Sequence, residues 1–137
     1  FMKPSTVREG VKWLPEKNID VFFVTLNKAD KDYSPTMMYN DYSISESLFH
    51  WQSQSTTAEN SPTGQRYIHH KEHGSKVLLF VREFKSDRVT GGAEAYTYLG
   101  TASYVKHEGS RPMNITWRLD RPIPAKFLKK TNKLVVG

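Results

Sequence analysis

The apolar positions of this chain fall into short runs, two of them nearly continuous. Residues 20–26 (DVFFVTL) and 76–85 (KVLLFVREFK) are rich in β-branched and aromatic side chains and have the length of strands. Both read as buried strands. Residues 47–55 (SLFHWQSQS) alternate instead. Leu48, His50, Gln52 and Gln54 fall on one side, and Phe49, Trp51 and Ser53 on the other. A period of two predicts a strand with one polar and one buried face. Residues 95–107 alternate more weakly and contain Gly100, which predicts a bulge or bend. Residues 114–119 (NITWRL) place Ile115, Trp117 and Leu119 on one face, and Pro122 and Pro124 end the run. Residues 37–44 fit either a short strand or a helical turn.

Between the strands the punctuation is polar. Residues 28–35 read as a charged loop closed by Pro35, residues 56–61 as a polar loop, and residues 86–94, with their Gly-Gly pair, as a turn. A second turn is expected at 108–110. One helix start stands out: Ser61 as N-cap, Pro62 at the first position, and Gln65 near where a capping-box partner sits. Gly74 would stop that helix after about three turns. Five or six strands and one or two short helices predict an α+β domain, mainly β, built on a bent antiparallel sheet or open β-barrel. Trp51 and Trp117 are expected in its core.

A length of 137 residues suits one domain. The Phe1-Met2 start reads as the edge of an excised piece. Residues 1–18 are accordingly expected to be an extension or linker, and residues 19–137 the domain. No run is apolar enough for a membrane span or a signal peptide, and cysteine is absent. A bacterial cytoplasmic protein fits these features.

The net charge of +6 is unevenly spread. Residues 35–62 contain no Lys or Arg. Residues 106–137 carry eight basic side chains against two acidic ones, equal to the whole excess. A localised basic region of this kind points to a polyanion, most often nucleic acid.

Several constellations bear on chemistry. His69 and His73 would share a helix face at a zinc-compatible spacing, with His50 or His107 as distant third ligands. The pattern lacks the zincin glutamate, and an exposed polar face is the preferred reading, so no metal or other cofactor is expected. Glu83-Phe84-Lys85 resembles half of a Mg²⁺ nuclease site, with Asp20 as the candidate second acid. The solvent face of a strand is by far the preferred reading. No nucleophile elbow, Walker loop or dinucleotide fingerprint occurs.

Recognition has more support. His50, Gln52, Gln54 and Ser55 offer an imidazole, two amides and a hydroxyl along one strand, and amides can pair with adenine edges. Thr63, Gly64, Gln65 and Arg66 at the helix start form a candidate phosphate seat, with His69 further along the same helix. Tyr96 and Tyr98 could stack on bases. Arg111, Arg118, Arg121 and Lys126 are candidate phosphate contacts.

The strings DVFFVTLNKADKDYSPTMMYNDYSIS, LFHWQSQSTT, SPTGQRYI, VLLFVRE, YTYLG, HEGSRPMNITWRL and PIPAKFLKKTNKL carry a resemblance. They resemble an uncharacterised domain at the C-terminus of bacterial proteins that join a phospholipase-D-like nuclease to a superfamily II DEAD/DEAH helicase. Such proteins look like restriction or phage-defence machines. The resemblance therefore implies DNA as partner, helicase and nuclease domains elsewhere in a parent chain, and ATPase and cutting activity outside these residues. More loosely, the Tyr96–Gly100 strand and the strand before Pro122 are similar to the bent barrels of SRA and PUA-like modified-base readers. The expected function is a non-enzymatic DNA reader module, with a modified base or backbone among the features it could test. The alternatives are an interaction module of the helicase and a nuclease using Glu83 and Lys85.

Overall fold

A computed structural model describes residues 10–26, 41–84, 92 and 94–128. Its strands are β1 (Gly10–Leu14), β2 (Ile19–Thr25), β3 (Tyr42–Ser43), β4 (Leu48–Gln52), β5 (Lys76–Arg82), β6 (Thr97–Glu108) and β7 (Asn114–Leu119). They form one sheet in the order β1-β2-β5-β6-β7-β4-β3. One helix, α1 (Pro62–Ile68), and a short 3-10 turn at Ala125–Phe127 complete the described elements. The fold is α+β and mainly β, as expected, and the sheet is open rather than closed into a barrel.

The sheet is mixed, not antiparallel throughout. β2 and β5 run parallel, with Phe22 opposite Leu79 and Thr25 opposite Arg82, and all other pairs are antiparallel. The physical reason lies in the two continuous apolar runs. Parallel strands sit inside a sheet and bury side chains on both faces, so they do not alternate. Residues 10–14, expected in a linker, instead form the edge strand against β2. The expected loop at 28–35, residues 37–40 of the ambiguous segment and most of the turn at 86–94 lie outside the described residues.

One face of the sheet is the core. Phe22 stacks on Trp51 with ring centroids 4.1 Å apart, and Tyr67 and Trp117 meet Phe22 edge-on at 5.6 and 5.4 Å. Both tryptophans are buried, as expected. α1 covers this face through Tyr67. Its Ser61 cap accepts from the Gly64 amide at 3.0 Å, but Gln65 donates to the Glu59 carbonyl instead of closing a capping box. The helix stops at Ile68 with His69 as C-cap, so it is about one turn shorter than expected. Gly64 is required where it stands, because a Cβ there would collide with the Ala58 carbonyl. β6 bends at two register shifts, one of them beside Gly100, whose φ is +115°.

The second shift in β6 is tied down by a buried histidine. The Tyr104 amide donates to His70 Nε2 at 3.1 Å. An accepting Nε2 puts the proton on Nδ1, which donates to the Ser75 carbonyl at 3.1 Å. His70 is thus held as one neutral tautomer, and burial lowers its pKa below 6.5. Unfolding restores the ordinary value, so the unfolded chain takes the proton first as pH falls. The contribution of His70 is complete above pH 6.5 and declines as pH falls from there toward its lowered folded value. Denaturation midpoints measured from pH 7.5 to 5 are expected to show this decline, and His70→Gln should lessen it. An unchanged slope in the variant would refute the assignment.

Candidate nucleic-acid interface

The opposite face of the sheet presents polar and aromatic side chains in cross-strand rows. Alternation along β4 turns Leu48, His50 and Gln52 away from the buried Phe49 and Trp51. Alternation along β7 does the same for Asn114, Thr116 and Arg118. Pairing then sets Tyr42, His50, Thr116 and Lys106 in one row across four strands. Gln52, Asn114 and Glu108 form the next row, and Leu48, Arg118 and Ser103 the row on the other side. Lys106 and Arg118 are diagonal neighbours, so their Cα atoms lie about 7–8 Å apart.

Local contacts order these rows. The Tyr42 and His50 rings stack at 4.6 Å with their planes 17° apart. Gln52 donates through Nε2 to Asn114 Oδ1 at 3.2 Å, and the Gln52 backbone N–H donates to Asp41 Oδ1 at 2.8 Å. Side chains from the first two rows line a groove of about 360 Å³.

The same face carries an aromatic stretch further along the sheet. Tyr96, Phe23, Phe80 and Tyr98 pack in that order, with centroids 5.0–5.5 Å apart between neighbours. Arg82 lies 4.4 Å over the Tyr96 ring while donating to Thr25 Oγ1 and the Glu94 carbonyl, so it serves as a clamp. Tyr98 is 40 % exposed, and Arg121 reaches it at 5.6 Å.

The structure thus brings His50, Gln52, Tyr98, Arg118 and Arg121 to one face. Tyr96 joins them half-buried. Thr63, Gly64, Gln65, Arg66 and His69 are on the other side of the sheet. Arg66 is committed there, with Nε and Nη2 donating to both Asp20 oxygens at 2.8 and 2.9 Å. The Gly64 amide is taken by Ser61. These engagements displace the phosphate seat expected at the helix start. His69 pairs with Glu72 at 2.7 Å. Gln54 and Ser55 are exposed in the turn beyond β4, Arg111 is exposed beside the loop at 57–60, and Lys126 is exposed over the Phe127 ring. Sequence reasoning missed Tyr42, Lys106, Asn114 and Thr116. The alternation of NITWRL places Asn114 and Thr116 opposite the core residues and was the signal that could have found two of them.

The catalytic alternatives also change. Asp20 sits opposite Val77 at one end of the parallel pair, whereas Glu83 follows β5 at the other end. About six strand residues, roughly 20 Å of backbone, separate the two positions, too far for their side chains to share one ion. Lys85 lies outside the described residues. Zinc spacing on a helix is lost because α1 ends before His69 and His73. Among the described residues, no three His, Asp or Glu side chains are grouped to hold a metal ion. A separate hydrogen-bonded string runs from the Tyr104 hydroxyl to His107 Nδ1 and from His107 Nε2 to Glu59, at 2.7 Å in each step. Burial, reinforced by Glu59, raises the Tyr104 pKa. The string ties β6 to the loop before α1.

No described helix is long and apolar enough to cross a membrane. A family model described as a domain of unknown function, DUF3427, matches residues 3–130. No curated protein matches the chain.

Proposed function

We propose that this chain, which belongs to the DUF3427 family, is a DNA-binding reader module that contacts its target with the face carrying His50 and Gln52. The observation that carries the reading is the shared face of Lys106, Arg118 and the Gln52–Asn114 pair. Cations of the basic C-terminal third thereby stand beside amides able to address base edges. The phosphate grip moves from the helix start to Lys106, Arg118 and Arg121.

In a parent chain, the module would direct attached helicase and nuclease domains in restriction or phage defence, and cleavage and ATP hydrolysis would belong to those domains. Its target would be a modified base or backbone, the role of the SRA and PUA-like readers. A second reading, an interaction module packed against the helicase, draws on the exposed Ile44, Tyr98 and Val105. The cations on the same face favour DNA.

Titration of labelled duplexes, plain and modified, at two salt concentrations tests the reading. Binding should weaken with salt, and Lys106→Ala and Arg118→Ala should each reduce the slope of log affinity against log salt by about one. No binding to any duplex at low salt would sink it. A salt slope without preference among duplexes would leave plain DNA binding and remove the reader role.

A further inference from the structure

We infer that the groove between β3–β4 and the ends of β6 and β7 is a site for a single unpaired nucleobase. This rests on the DNA reading and specifies what that face holds. The groove's volume, about 360 Å³, lies at the small end of the 300–1,000 Å³ spanned by ordinary ligand sites, so it suits one heterocycle rather than a duplex. Its composition narrows the occupant. Tyr42 and His50 contribute two rings stacked face to face, 4.6 Å apart and with planes 17° from parallel. A stack already formed offers an outer ring face on which a planar heterocycle can continue it without the rings first being ordered.

Ile44 and Leu48 add apolar edges to the groove, and its other residues supply polar groups. Thr116 is nearly buried between His50 and Lys106 in the first row. Asn114 is oriented by its hydrogen bond from Gln52, which makes Gln52 a positioning residue for this site. A hydroxyl and an amide can each donate and accept, as the edge of a base requires. Lys106 and Glu108 both line the groove and oppose one another in charge. That balance disfavours a bare phosphate as the main occupant, and it suits a neutral base whose own phosphates lie outside on the Arg118 side.

The outer face thus divides its work. Arg118 and Arg121 hold backbone, and the groove holds a base that has left the stack or was never paired. Duplexes carrying a single-base bulge provide the probe, with 2-aminopurine at the bulge and a fully paired duplex as reference. The bulged duplex should bind about tenfold tighter, the scale of one base stacked on an aromatic wall, and its 2-aminopurine emission should be quenched. Tyr42→Ala and His50→Ala should each abolish the preference for the bulged duplex, while Tyr42→Phe should retain it. Equal affinity for the two duplexes, or a preference that survives Tyr42→Ala in a protein with unchanged circular dichroism, overturns the groove assignment alone. Failure of the paired duplex to bind at low salt overturns the DNA reading beneath it.

Discussion

Arg66→Ala is expected to lower the free energy of unfolding by about 3–5 kcal/mol, the range for removing one partner of a buried ion pair. Asp20 is fully buried, whereas the Arg66 side chain is 20 % exposed, and the guanidinium grips both carboxylate oxygens. Deleting the arginine leaves a buried carboxylate with its main counter-charge gone. Deleting the carboxylate leaves a cation that already touches water, so Asp20→Asn should cost less. Arg66 also lies 4.2 Å over Trp13, so its loss removes a cation–π contact between α1 and β1 as well. Replacing both partners together, as Asp20→Leu with Arg66→Met, should recover much of the loss because no charge is then stranded. Chemical denaturation of the three variants checks the ordering. A loss under about 1 kcal/mol for Arg66→Ala, accompanied by weakened DNA binding, would return Arg66 to the role of phosphate contact.

That pair also shows where the sequence was readable and where it was not. Strands announced by alternation were placed well: β4 and β7 have the expected buried and polar faces, because a period of two fixes the side of every residue once one is known. Ser61 and Pro62 marked the helix start for equally local reasons. Partners distant in the chain were a different matter. Asp20 and Arg66 are 46 residues apart, and nothing in either neighbourhood signals that they meet. Arg66 therefore passed for a free cation.

The same limitation governed the candidate site. Its rows exist because β4 pairs with β7 and β7 with β6, an order the chain sequence does not display. His50 and Gln52 were visible from alternation, whereas Lys106 came to stand beside them only through a register shift in β6. β1 was missed because GVKWL carries one strong apolar pair and no clear period, and its strand state depends on the neighbouring β2.

Phe22→Ala is expected to cost about 3–5 kcal/mol, since it opens a cavity where the core can least collapse. Phe22 is 1 % exposed and touches Trp51, Tyr67 and Trp117, which belong to β4, α1 and β7. Three elements distant along the chain share this one ring, and none can move in without breaking its own contacts. Phe23, the next residue, faces the other way against Phe80 and Tyr96 and is only partly buried. Phe23→Ala should therefore cost markedly less. The comparison reaches the proposed interface, because Trp51 is the residue between His50 and Gln52. A vacancy beneath Trp51 should loosen the strand that carries both, so at temperatures where the Phe22→Ala protein remains folded its preference for the bulged duplex should fall along with its near-ultraviolet circular dichroism. Phe23→Ala should leave that spectrum largely intact. A larger stability loss for Phe23→Ala than for Phe22→Ala would invert the two faces of the sheet, and with them the placement of the site.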